Sequence, residues 1–180
     1  ERHAPRVAFW KSGVLTPRYI QLLVASVGIA AVVVTLAVSL VPVLSANGLV
    51  RAQAVNIASL LGISAIFGRL TIGLLLDRMN GRFLAAFAVS MPIIAILLLI
   101  YNPGSASAAT AAVLILGLSF GAELDIIAYL TSRYFRITNF GLLFGTIAGF
   151  IGLASGNGPV AISAVFDATQ SYLPALWAMI

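Results

Sequence analysis

Three ionisable side chains stand where the chain is otherwise apolar: Arg69, Glu123 and Asp125. An ionisable group at the centre of a membrane helix costs about 2.5–3.5 kcal/mol on insertion scales, so such groups mark function by default. A guanidinium holds a carboxylate through two parallel hydrogen bonds. A carboxyl group serves as its counter-charge or carries a proton. Most other chemistry is excluded. The chain has no cysteine, and its one histidine, His3, lies in the polar N-terminal tail. Thiolate and Fe–S chemistry are absent with the cysteines, and most acid–base, nucleophilic and zinc chemistry goes with the histidine. Neither an enzyme nor a cofactor or metal site is expected. GLSFG at 117–121 fits the G-x-S-x-G nucleophile elbow, but an elbow needs a preceding strand and a histidine base. Ser155-Gly156 fails as a protease site for want of the same base. No paired NPA motif or TVGYG-like loop points to a water or potassium channel.

The elements that position these groups follow from composition. Hydrophobic residues make up 61% of the 180 and charged ones 8%, and mean hydropathy is +1.10. A soluble domain carries roughly 25% charged residues, so lipid must be the solvent. The net charge of +5 would point to nucleic acid in a soluble protein, but in a membrane chain placement outweighs the sum. The bilayer is the expected partner and nucleic acid is not.

A spanning helix needs about 20 apolar residues. Six candidate segments run over approximately 20–44, 52–76, 83–101, 108–132, 140–166 and 172–180, the last one cut short, behind a tail at 1–19. The chain opens on Glu1 and stops inside an apolar run, which reads as a piece of a longer protein. The segments are apolar on every face, which fits helices and not barrel strands. Asn47-Gly48, Asn80-Gly81 and Asn102-Pro103-Gly104 punctuate them.

With alternating crossings, one side receives Arg2, Arg6, Lys11, Arg18, Arg78, Arg82, Arg133 and Arg136, and the other Arg51 alone. Eight against one places the tail in the cytoplasm by the positive-inside rule. The expected location is the plasma membrane, or the inner membrane of a bacterium. Arg69 precedes Asp77 by eight residues and Glu123 precedes Arg133 by ten, depths of roughly 12 and 15 Å at the helical rise. Glu123 and Asp125 are two apart, about 200° around a helix, so at most one is expected to share a cavity with Arg69.

Gly141, Gly145 and Gly149 recur every four residues, and Gly117 and Gly121 repeat the spacing. Such stripes let helix backbones approach in lipid, so both are expected to be packing faces. GLASGNGP at 152–159 is too rich in Gly and Pro for an undisturbed helix and is expected to kink or break.

GRLTIGLLLDRMNGR at 68–82 supplies a further pattern. Its Gly73-x-Leu75-x-Asp77-Arg78, followed by Gly81-Arg82, resembles the signature loop of the major facilitator superfamily, with Asn80 as one extra residue. TPRYIQ, SRYF at 132–135 and GP…FDATQSY at 158–172 also resemble the C-terminal half of such a transporter, closest to the monocarboxylate and oxalate–formate branch. The resemblance covers nearly the whole chain. It implies an all-α, polytopic six-helix half of a twelve-helix fold, working with an N-terminal half of the same protein.

The function so implied is secondary active transport by alternating access. A small organic anion would be the substrate, with protons or a counter-anion as the coupled species. Arg69 would receive the substrate carboxylate. Where the branch often has an aspartate one turn earlier, this chain has Ala65, so Glu123 or Asp125 is expected to take over as counter-charge and proton acceptor. Asp77 would cap the N-terminus of the fifth segment and pair with Arg133 or Arg78 as a cytoplasmic latch. No lysine lies between Asn139 and Tyr172, which favours a monoanion over a dianion. The rivals are a carrier of another solute with Arg69 and Glu123 as a gate pair, and a scaffold that does not transport.

Overall fold

A computed structural model describes residues 16–79 and 81–180, and every regular element among them is helical. The helices are α1 (Pro17–Val38), α2 (Leu40–Ala46), α3 (Arg51–Leu76), α4 (Gly81–Tyr101), α5 (Ala106–Tyr134), α6 (Phe140–Thr169) and α7 (Leu173–Ala178), with a 3₁₀ turn at Ile137–Asn139 before α6. Five of them (α1, α3, α4, α5 and α6) are long and apolar enough to cross a membrane. The chain is a multi-span helical membrane protein. Most of the expected tail, His3 included, lies outside the described residues.

Local sequence explains where the helices start and stop. Pro17 occupies the first turn of α1, where its missing N–H costs nothing. Ser105 caps α5 by accepting the Ala108 N–H at 3.3 Å. The first apolar segment is interrupted at Ser39, and Pro42 supplies the reason. It has no N–H for the Val38 carbonyl, and its ring crowds that carbonyl. Gly48 and Gly104 adopt positive φ of 99° and 74° in the turns that follow α2 and α4. A Cβ built on Gly48 would stand 3.7 Å from the Gly104 Cα, so these two turns lie side by side. The Asn47 Nδ2 donates to the Leu99 carbonyl at 3.0 Å and ties the same end together.

Tyr19 marks the opposite end. Its ring is buried, its hydroxyl donates to the Leu143 carbonyl at 2.9 Å, and it meets Phe135 edge-on at 5.6 Å. The start of α1, the end of α5 and the start of α6 therefore gather there. Arg18, Arg78, Arg133 and Arg136 belong to this end by position, and Arg51 to the other.

α5 is the hub. It packs most extensively on α3, then on α4, and also touches α1 and α6, while α6 rests chiefly on α1. Twelve of its residues are buried, against three in the longer α6. One apolar core joins the Asn47 end around Leu36, Leu44, Ile96 and Leu116. Smaller clusters form around Ile72, Leu84 and Ile126, and around Tyr19, Leu143 and Ile147.

The break expected at GLASGNGP does not occur. α6 runs without interruption through GLASGNGP, Pro159 included. In lipid no water competes for the backbone, so glycines that would end a soluble helix remain inside it. Gly158 has a packing reason: a methyl there would overlap Thr35 Oγ1 of α1. Among the described residues, Gly141, Gly145 and Gly149 have no neighbour within 4 Å of where a Cβ would stand. α6 presents Leu143 and Ile147 to the bundle, and its glycine stripe points away from it.

Candidate functional site

The site is built on the α3–α5 seam. A methyl on Gly117 would overlap Ser64 Oγ and the Leu61 carbonyl, and one on Gly121 would overlap the Ala65 carbonyl. From the other side, a methyl on Gly68 would overlap the Leu118 backbone. Three glycines thus let the two helices touch backbone to backbone, as small residues do where lipid offers no hydrophobic drive. For Gly117 and Gly121 the structure shows such contact directly. The consequence is positional: Arg69 is fixed one residue beyond Gly68, and Glu123 and Asp125 two and four beyond Gly121.

Asp125 is the residue that meets Arg69. The Arg69 Nε donates to Asp125 Oδ2 at 3.2 Å. The contact is single, and among the described residues the two terminal guanidinium nitrogens make no hydrogen bond. Asp125 therefore holds the guanidinium from its side and leaves the end-on fork of Nη1 and Nη2 unused. The Arg69 and Asp125 side chains are 60% and 36% exposed, so the pair lies on an open face of this bundle. Such a pair is worth only about 0–1 kcal/mol when water reaches it. Its stabilising effect is too small to be the reason for keeping two charges at membrane depth.

Glu123 points elsewhere. It is 8% exposed and, among the described residues, makes no hydrogen bond or ion pair. It nevertheless shares a chamber of about 320 Å³ with Arg69. Val34 of α1, Ile66 and Leu70 of α3, Phe120 and Leu124 of α5, and Ile151 of α6 complete an apolar lining. Ala65 opens onto the same chamber, and an aspartate there would add a further charge to its wall. Of the two acids, Glu123 lines the chamber and Asp125 grips the arginine. The charges are Arg69 balanced by Asp125, with Glu123 as an extra acid.

The loop residues are less organised. Asp77, Arg78 and Arg133 are exposed, and among the described residues none of them is joined in an ion pair. The expected latch between Asp77 and Arg133 or Arg78 is therefore not formed here. At the N-terminus of α6 the side chain of the N-cap residue, Asn139, makes no capping hydrogen bond among the described residues. Exposed charges gain little from pairing in water, which leaves them free of one another. Gly73 has open space where its Cβ would stand, whereas a methyl on Gly81 would press on the Tyr129 ring. Arg82 follows Gly81 in the first turn of α4.

One participant is not evident from spacing. Pro92 sits inside α4 and cannot donate to the Ala88 carbonyl four residues earlier. The Ser119 hydroxyl of α5 donates to that carbonyl at 3.0 Å. The proline announces a freed carbonyl four residues back. Which serine answers it depends on how α4 and α5 pack.

No protein-family model matches the chain, and no curated protein matches it. The plain assignment is a polytopic helical membrane protein, and anything narrower rests on the motifs and the chamber.

Proposed function

We propose that the chain forms part of a secondary active carrier of small organic anions, with monocarboxylates as the substrate class. The observation that supports this most is the unused end-on fork of Arg69 at a chamber of about 320 Å³, with the guanidinium held from its side by Asp125. A carboxylate entering the chamber meets two parallel donors on a group already oriented. The apolar lining suits a short hydrocarbon tail. Glu123, in the same wall, is the group to carry a coupled proton. The open face that bears Arg69 and Asp125 calls for a second helical bundle, because charges at that depth do not face acyl chains. The chamber would then lie between two halves that rock about it.

A second reading has one observation in its favour. The Arg69–Asp125 contact is an ion pair in its own right, and a carrier of another solute could use it as a gate. It would replace the Arg69–Glu123 gate expected from sequence. The deciding experiment is uptake of radiolabelled lactate, pyruvate and formate into vesicles containing the full-length protein. The anion reading expects Arg69→Ala to abolish saturable uptake and Arg69→Lys to retain a part. Unimpaired uptake by Arg69→Ala would refute it.

A further inference from the structure

The end of the bundle marked by Tyr19 carries Arg18, Arg78, Arg133 and Arg136. All four are exposed, and among the described residues none of them is joined to an acid. Asp77, also exposed and without an ion pair among the described residues, is the acid that shares this end. Four cations thus stand against one anion at the ends of membrane helices, and the described fold does not neutralise them.

Packing decides where the arginines stand. The Tyr19 ring meets Phe135 edge-on at 5.6 Å, which brings the start of α1, with Arg18, to the connection between α5 and α6. Arg133 lies in the last turn of α5, and Arg136 directly precedes the 3₁₀ turn. Three residues of extended chain span at most about 10 Å, a distance that two arginine side chains close onto one phosphate group. A guanidinium holds phosphate oxygens through two parallel hydrogen bonds.

Apolar side chains accompany these cations. Ile137, next to Arg136, is 76% exposed. The connection between α3 and α4 repeats the pairing, with Met79, 48% exposed, directly after Arg78. A soluble acidic partner or a free phosphate would use the arginines and leave Ile137 and Met79 in water. At a bilayer surface the arginine stays among headgroups while the apolar neighbour enters the acyl boundary. A phospholipid therefore satisfies both members of each pair.

We propose that Arg133 and Arg136, with Ile137 beside them and Arg18 at the start of α1, bind the headgroup of an anionic phospholipid. The lipid phosphate sits between the two guanidinium groups, and Ile137 packs on the first part of an acyl chain. Arg78 and Met79 make a second, weaker contact with the same leaflet, since one arginine is present there and not two. Nothing in this site depends on the carrier reading.

Native mass spectrometry of the full-length protein, titrated with dioleoyl phosphatidylglycerol and with dioleoyl phosphatidylcholine, measures the preference. The anionic lipid is expected to bind about tenfold tighter, and each arginine at a membrane surface contributes a factor of about five. Arg133→Gln combined with Arg136→Gln should weaken phosphatidylglycerol by about tenfold or more and phosphatidylcholine by less than about twofold. Arg51→Gln, at the opposite end, should change neither by more than about twofold. Ile137→Asn should weaken both lipids alike. Arg136 lies outside the helices, so Arg136→Gln alone shows the same direction should the double variant fail to fold. Equal affinities for the two lipids, a preference that survives loss of both arginines, or one lost with Arg51 overturns the proposal. So does unchanged lipid binding in Ile137→Asn, or displacement of phosphatidylglycerol by millimolar inorganic phosphate, which would mark a site for the free ion.

Discussion

Asp125 touches Arg69 through a single Nε contact of 3.2 Å and, among the described residues, leaves the two terminal nitrogens of the guanidinium without a protein partner. The geometry separates two jobs that a counter-charge can do. It neutralises the arginine in the absence of a ligand, and it aims the arginine without occupying the face a ligand would use. A contact of this type steers more than it stabilises.

Asp125→Asn therefore keeps the side chain's shape and removes the charge that holds the Nε. On the proposed carrier reading, the expected result is a rise in KM for monocarboxylate uptake of about tenfold, with kcat changed far less, because what is lost is orientation worth about 1.4 kcal/mol. Concentration-dependent uptake in vesicles measures the split. A fall in kcat at constant KM would show that Asp125 takes part in the conformational cycle instead.

Gly121 and Gly145 offer a matched pair. Gly121→Val forces a branched side chain against the Ala65 carbonyl and should cost about 1–3 kcal/mol or more by overpacking. Gly145→Ala has open space and should gain up to about 1 kcal/mol from helix propensity. Thermal unfolding in detergent, followed by size-exclusion monodispersity, tests both. Equal losses would mean that the α6 stripe is as tightly packed as the α3–α5 seam.

Tyr19 pins α1 to α6 with its hydroxyl on the Leu143 carbonyl. Tyr19→Phe removes one neutral hydrogen bond and no packing, for a loss of about 0.5–1.5 kcal/mol. The same unfolding assay reads it. A loss of less than a few tenths would show that the hydroxyl is dispensable and the ring alone anchors the end.

The cysteine-free sequence makes sidedness directly measurable. Val50 and Ile137 are both exposed and lie at opposite ends of the bundle. Ile137→Cys should react with a membrane-impermeant maleimide only after the cell is opened, and Val50→Cys should react in intact cells. The reverse pattern would invert the topology.

The spans were legible because lipid imposes a length and an apolarity on any helix that crosses it. The same rule hid the continuity of α6, since Gly and Pro break helices in water and not in a packed bilayer protein. Arg69, Glu123 and Asp125 stood out by cost alone. Which acid would hold the arginine depended on the register of α3 against α5, set by Gly68 against Leu118 and Gly121 against Ala65. Glycine spacing marks a smooth face without saying what lies across it. The stripe at 117 and 121 met α3, and the one at 141, 145 and 149 met no neighbour among the described residues. The loop charges were legible by position only, because exposed ions choose partners too weakly for sequence to fix them.

The hub position of α5 bears on how the protein is made. α3 and α4 leave the ribosome before the helix against which they chiefly pack, and α1 must wait for α6, the last of the long helices. A nascent chain halted at the turn after α4 would hold three spanning helices in the bilayer with almost none of their final neighbours. Such a species exposes polar seams to lipid and to membrane proteases, so the interval before α5 inserts is when biogenesis is most vulnerable.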